Sequence, residues 1–426
     1  MREVLLEILR NSEADDYEVT EIETTGWEFY FIRHLLDQNR AKKVTHLYVK
    51  VYKNHDGALG FASQEVPAGS TREEIEKIVS DLVYQASLVK NMPYELHEVK
   101  ETEDIEIEVS GVREESEKFI RAFKEASETE TEYLNSYEIF YNVSKKRFIT
   151  SRGIDITETY PSSTLDVVIN ARNDEHEIEL YRFYELGACD QEYIQKEIAN
   201  TLKYGKDRLV TGPTPKLGVF PVVFSTDAAL RIYDYFLSGL NTALVFRKMS
   251  SFEIGKEIAE DVLGDKVTIE TKRVLPNSSE NFRYDSEGGV VKDMVLLKDN
   301  VPQSYWGGRM FSEYMGVKDS FSVTNYIVSG GTKTEEELRS GNYLEIVEFS
   351  DFQVDDITGD IFGEIRLAYY HDGDKVIPVS GGSVSGDLRE ALKEMYMSVN
   401  SRQYNNAVIP AVTRLEKVTI AGVGEE

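Results

Sequence analysis

Period-two alternation of apolar and polar residues, interrupted by short turns, most limits what this chain can fold into. In "THLYVKVYKNHDGALGFAS", Leu47, Val49 and Val51 alternate with polar neighbours, and His55-Asp56-Gly57 supplies a hairpin turn. The same signature returns in "YDSEGGVVKDMVLLKDNVPQSYW", turning at Lys298-Asp299-Asn300. It returns again in "FGEIRLAYYHDGDKVIPVSGG", turning at His371-Asp372-Gly373. Hairpins of this kind build antiparallel sheets, and helices are placed between them without a strict strand-helix-strand rhythm. The expected fold class is therefore α+β, with mostly antiparallel sheets and flanking helices. An N-terminal α/β region is followed by a β-rich C-terminal domain.

Three blocks follow from the punctuation. Residues 1–93 hold the helix-like "MREVLLEILRNSEADD", the strand-like "YEVTEIETT" and "WEFYFI", and a helix in "AGSTREEIEKIVSDLVYQASLVKN". Ser70 or Thr71 caps that helix, and Ile75, Ile78, Leu82 and Ala86 form its buried stripe. Residues 94–215 loosely repeat the order: a strand in "DIEIEVSG", a helix in "REESEKFIRAFKEASE", three strands, and the helix "DQEYIQKEIANTLKYGKDRL". The two prolines of "GPTPK" at 212–216 mark the boundary to the third block, 216–426, where "SGDLREALKEMYMSV" reads as a capped helix and "LEKVTIAG" as a final strand.

Composition is that of a folded protein, 41% hydrophobic and 11% aromatic, with no apolar run long enough for a membrane span. The charged N-terminus does not read as a signal peptide, so a cytoplasmic location is expected. Lys and Arg number 48 against 76 Asp and Glu, a net charge of −28 that repels phosphate backbones and argues against direct nucleic-acid binding. Residues 95–132 carry 14 of those acids and 5 bases, which reads as a solvated linker and helix face.

The usual catalytic signatures are missing. The six histidines, at 34, 46, 55, 97, 176 and 371, include no pair about one helical turn apart. No G-x-S-x-G occurs. The glycine-rich "SGGSVSGD" lacks a phosphate-loop lysine and reads as a loop ending in a Ser385 or Asp387 cap. Asp355, Asp356 and Asp360 in "DDITGD" do not have calcium-loop spacing and read as a turn. The single cysteine, Cys189, precedes a helix whose N-terminus would lower its pKa, but no histidine lies near it in sequence.

"LRIYDYFLSGLNTALVFRKMSSF", Leu230 to Phe252, reads as one amphipathic helix running into a loop. Ala229, Tyr233, Phe236, Leu240 and Leu244 face a core, while Asp227, Arg231, Asp234, Ser238 and Asn241 share a polar stripe. Spacing leaves open whether that stripe is solvated or lines a cavity.

The ordered segments "TSRGID", "KLGVFPVVFSTDAAL", "SSFEIGKEIAEDVLGDKVTI", "YDSEGGVVKDMVLLKDNV", "TNYIVSGGTKTEEEL", "VDDITGDIFGEIRLAYYHDGDKVIPVSGGSVSGDLREAL" and "VTIAG" resemble the TldD/PmbA family, the so-called modulators of DNA gyrase, over nearly the whole chain. The resemblance implies a metallopeptidase of paired subunits acting on unfolded or extended peptides. TldD-type members carry His-Glu-x-x-x-His in the helix after the "PVV" strand, and a cysteine ligand near the C-terminus. Here the His-Glu position falls on Tyr233 and Asp234 and the second histidine on Ser238, while "SVNSRQYNNAVIP" has no cysteine. Neutral Tyr and Ser are poor zinc ligands. The resemblance thus implies a PmbA/TldE-like, zinc-free chain with Tyr233, Asp234 and Ser238 lining a cleft, and zinc only in a TldD-type partner. Its partner would be that paralogue or a second copy of itself. An active hydrolase using Asp355, Asp356 and Asp360, or a purely peptide-binding module, remain alternatives.

Overall fold

The computed structural model of the chain describes residues 1–103, 105 and 107–424. Its first half is one antiparallel sheet. Strands β1 (Asp16–Ile32), β2 (Leu35–His55) and β3 (Ala58–Glu65) form a meander, and β4 (Glu132–Thr150), β5 (Asp155–Arg172) and β6 (Glu177–Leu186) form another. The two meanders join through β1 and β4 in the order β3-β2-β1-β4-β5-β6, leaving β6 at an edge. "YEVTEIETT" and "WEFYFI" are thus one strand.

Each meander has its own helices. Helices α1 (Arg2–Arg10) and α2 (Arg72–Ala86) cover the first, burying Leu5, Leu9, Ile75 and Leu82 against Val19, Val49 and Val51. Thr71 caps α2 in a capping box with Glu74, satisfying two backbone donors at its start. Helices α3 (Val112–Lys124) and α4 (Gln191–Arg208) cover the second, with Phe119, Phe123, Ile194 and Ile198 packed on Tyr137, Ile139 and Leu165.

The C-terminal end of α2 approaches β3 so closely that a Cβ on Gly60 would lie 1.8 Å from the Ala86 carbonyl oxygen. Gly60→Ala is expected to lower stability by about 1–3 kcal/mol, the usual cost of overpacking against backbone. A urea midpoint unchanged from wild type would refute that contact.

The hairpin turn at Asp56-Gly57 has positive φ at both residues, as a two-residue mirror-image turn requires. The turn between β1 and β2 uses the same conformation at Arg33 and His34, without glycine. Side chains hold it: Arg33 lies 3.6 Å from the Tyr133 ring centroid, and His34 bonds Glu128 at 2.8 Å.

Asp104 and Glu106 of the expected strand "DIEIEVSG" lie outside the described residues, and the others of that stretch form no strand. The acidic linker before it is held against the C-terminal half. The Tyr314 hydroxyl donates to the Met92 carbonyl at 2.6 Å, and Arg309 Nε donates to that of Glu95, also at 2.6 Å. Tyr284 reaches the Lys100 carbonyl, and Lys100 pairs with Asp319. The expected solvated linker is in this part a strap.

Beyond it come β7 (Gly212–Pro213), β8 (Gly218–Phe224), β9 (Thr268–Lys272), β10 (Met294–Lys298), β11 (Val301–Pro302), β12 (Asn325–Ser329) and β13 (Tyr343–Val354). The series ends with β14 (Asp360–Asp372), β15 (Lys375–Ser380), β16 (Ser383–Asp387), β17 (Met395–Met397), β18 (Ser401–Tyr404), β19 (Ala407–Pro410) and β20 (Thr413–Ala421). One six-stranded sheet runs β11-β10-β9-β12-β19-β18. A larger sheet runs β13-β8-β20-β16-β14-β15-β7, with β13 also pairing β14, so that five strands close on themselves. Most pairs are antiparallel; β8–β13, β12–β19 and β7–β15 are parallel. The α+β class and β-rich C-terminal region expected from the sequence are what the structure has.

One helix shrinks. "SGDLREALKEMYMSV" is helical only over Leu388–Ala391, plus a short tight turn, because Met395 and Met397 alternate inward as β17 and pair with β20. Asp387 caps the short helix by accepting from the Arg389 amide.

Candidate functional site

The segment 230–252 is not one helix. Helix α5 (Leu230–Gly239) ends at a glycine whose absent side chain lets Phe252 pack in, since a Cβ there would lie 2.5 Å from Phe252 Cε2. Asn241 then caps a separate short helix, α6 (Thr242–Phe246), accepting from the Ala243 amide at 2.9 Å. The glycine two residues before a strong capping residue explains the break. Ile232, Tyr233, Phe236 and Leu240 are fully buried against β8 and β20, whereas Leu244 is only half-buried.

Of the three expected cleft residues, Tyr233 is not on a cleft wall. It is fully buried, and its hydroxyl shares a 2.6 Å hydrogen bond with Thr413 Oγ1 of β20. Burial holds its phenol far above the usual tyrosine range. Asp234 and Ser238 do line an open groove. Residues five apart on a regular helix are rotated by about 140°, so positions 233 and 238 point to different surroundings.

Asp234 sits in the middle of that groove. Its carboxylate accepts from Arg231 at 3.2 Å and from the Tyr326 hydroxyl at 3.3 Å. Burial raises its pKa, an effect that Arg231 and Tyr326 partly offset. On one side the groove opens into a space of about 620 Å³ between β6, α4, β13 and the turn after β18. On the other it continues into about 810 Å³ bordered by Ser238, Trp306 and Asp356. Asp234, Tyr326 and Asn406 belong to both parts. Two segments singled out in the sequence, α5 and "SVNSRQYNNAVIP", therefore meet at one groove.

The other candidates separate from it chemically. Asp355 is a turn former: it accepts from the Ile357 and Thr358 amides at 2.9 and 2.7 Å, and these bonds lower its pKa. Only Asp355 and Asp356 of the three aspartates border the groove. Cys189 is not activated; burial, with Glu115 nearby, pushes its thiol up to about 12. Among the described residues, no three His, Cys, Asp or Glu side chains gather in a group able to hold a metal ion.

Several groove residues escaped the sequence reading. Tyr193, Glu197, Asn200 and Tyr204 all line it from α4. Their spacing of four, three and four is a helical stripe opposite the buried Ile194, Ile198 and Leu202, and that stripe was the available signal.

The fold and groove define a class, a β-rich C-terminal domain with an open groove beside α5. Residues 217–422 match the PmbA/TldA metallopeptidase C-terminal domain. Over those residues the chain is similar to the TldD/PmbA family. It is 24% identical over 212 residues to a protein of Haemophilus influenzae named Metalloprotease PmbA homolog. That match covers 47% of this chain and spans 46% of the relative's own length. The crystal structure of TldE from Thermococcus kodakarensis matches at a TM-score of 0.79 and 14% identity, covering 99% of this chain and 100% of that one. A so-called modulator of DNA gyrase from Thermotoga maritima matches at 0.77 and 16% identity, with 99% of each chain covered. At such identities these structures establish a shared fold.

A zinc ion, which a metallopeptidase family implies, does not fit the residues at the expected position. The Tyr233 phenol is turned into the core, Ser238 offers a neutral hydroxyl, and Asp234 is a lone carboxylate already engaged by Arg231 and Tyr326. Zinc sites need three or four N, S or carboxylate ligands converging on one point.

Proposed function

We propose that this chain is a PmbA/TldE-like, zinc-free subunit that shapes a peptide-binding groove and supports proteolysis by a TldD-type partner. The observation that carries the reading is the mismatch at α5: the helix lies beside an open groove and presents Asp234 and Ser238 there, with no group of three metal-ligating side chains among the described residues. The groove runs past the edge strands β6 and β18, so an extended peptide can add main-chain hydrogen bonds there with little demand on its sequence. The reading places the protein in the cytoplasm, paired with a paralogue or with itself. None of its described helices is long and apolar enough to cross a membrane. The gyrase label would then reflect an indirect effect of peptide processing, as the −28 net charge disfavours nucleic-acid contact.

The test is to purify the chain from its source cell and measure zinc in the chain and in whatever accompanies it. The chain alone should hold no stoichiometric zinc and leave an unfolded peptide intact. With a paralogue carrying His-Glu-x-x-x-His, chelator-sensitive cleavage should appear. One tightly held zinc per isolated chain, lost in Asp234→Asn, would overturn the proposal. Chelator-sensitive cleavage by the chain alone would favour an active hydrolase instead.

A further inference from the structure

The α4 side of the groove has an unbalanced charge. Its lining carries three arginines and five acidic residues. Each arginine is already matched: Arg182 with Glu348, Arg402 with Glu197, and Arg231 with Asp234. Asp227 and Glu185 are left, and neither carboxylate has a hydrogen-bond or ion-pair partner among the described residues. Asp227 lies where the chain enters α5, and Glu185 is exposed on the edge strand β6.

The walls beside Asp227 are aromatic. Tyr184 and Tyr193 meet edge to face with ring centroids 6.1 Å apart, and Tyr204 follows three turns along α4 from Tyr193. No partner for the Tyr193 or Tyr204 hydroxyl occurs among the described residues, and both residues line the open space. On the far wall Arg402 sits 5.2 Å from the ring centroid of Tyr404, so one cation already uses an aromatic face there. Tyrosine faces and the exposed, unpaired Asp227 carboxylate together form a site for a positive group, since ring quadrupoles attract cations and the carboxylate supplies a counter-charge.

We infer that this part of the groove holds the lysine or arginine side chain of an extended peptide, with Asp227 as counter-ion and Tyr184, Tyr193 and Tyr204 as walls. The inference rests on the peptide-groove reading and adds a preference to it. A chain of net charge −28 also draws basic peptides toward itself before contact. Arginine and lysine differ in reach and hydration, but the pocket's chemistry serves both.

The experiment is a fluorescence anisotropy titration of the full chain, with any partner that co-purifies. It uses two labelled unfolded peptides identical except for a central lysine or norleucine. The lysine peptide should bind about tenfold more tightly, and the gap should narrow as salt is added. Asp227→Asn and Tyr193→Leu should each cut that gap to about threefold or less, with the norleucine peptide unaffected by Asp227→Asn. Equal binding of the two peptides by wild type overturns the cation site while leaving the groove reading in place. A lysine preference that survives both substitutions overturns it as well. Failure of both peptides to bind overturns the site and the groove reading together.

Discussion

Replacing Tyr233 by alanine is expected to destabilise the C-terminal half by about 3–5 kcal/mol, the range for removing a large buried aromatic side chain. Its ring has no exposure and packs with Ile232, Phe236 and Phe224 in the main core. The hydroxyl adds a second link, because its 2.6 Å bond to Thr413 ties α5 to β20. Tyr233→Phe isolates that link and should cost less, about 1–3 kcal/mol, since it strands the buried Thr413 hydroxyl. Chemical denaturation should therefore rank wild type above Tyr233→Phe and Tyr233→Ala last. A catalytic or metal-holding role predicts something else: normal stability with impaired peptide binding or altered zinc content. That pattern would return Tyr233 to the groove and undo its assignment to the core.

The same residue shows where sequence reading stopped. Period-three-and-four spacing put Tyr233 on the core stripe, and burial agrees. Alignment to a family motif put it on a cleft wall, and burial disagrees. The resemblance pointed to α5, where Asp234 and Ser238 border the open groove and Tyr233 does not, because position in a motif does not fix direction on a helix. Local chemistry was legible wherever one short segment decides the outcome. Thr71 with Glu74 announced a helix start, and Asp56-Gly57 announced a hairpin. The Arg33-His34 turn was not legible, because its mirror-image backbone is held by Tyr133 and Glu128, about a hundred residues away. Nor was the shortening of "SGDLREALKEMYMSV", where pairing of Met395–Met397 with β20 overrides helical propensity. The groove is the extreme case: Tyr193 on α4, Asp227 before α5 and Asn406 after β18 come together only through tertiary packing.

Stability should fall as pH rises through the range where Glu280 titrates in the folded chain. Glu280 lies in the loop that packs on β4, β5 and β6: Phe282 meets Tyr160 edge to face at 4.8 Å, and the Arg283 amide donates to Glu158 at 2.7 Å. Burial there, reinforced by Glu185 and opposed by Lys146, lifts the Glu280 pKa from 4.5 to about 7. The folded chain thus keeps a proton that the unfolded chain releases near pH 4.5. Between those values the unfolded state binds fewer protons, so stability declines with pH, by at most about 1.4 kcal/mol per unit. The contribution is fully present below pH 4.5 and gone above pH 7, a loss on the order of 3 kcal/mol. Glu280→Gln removes the titration but keeps the backbone contacts, in which the Glu280 amide donates to Ser278 Oγ and its carbonyl accepts from Asn325. Other titrating groups are common to both proteins and cancel in the difference. The variant should match wild type at pH 4 and exceed it at pH 8, measured by urea denaturation across that range. A difference that stays flat would mean Glu280 ionises normally in the folded chain. A difference that opens with pH would locate a pH-sensitive contact where the C-terminal half meets the N-terminal sheet.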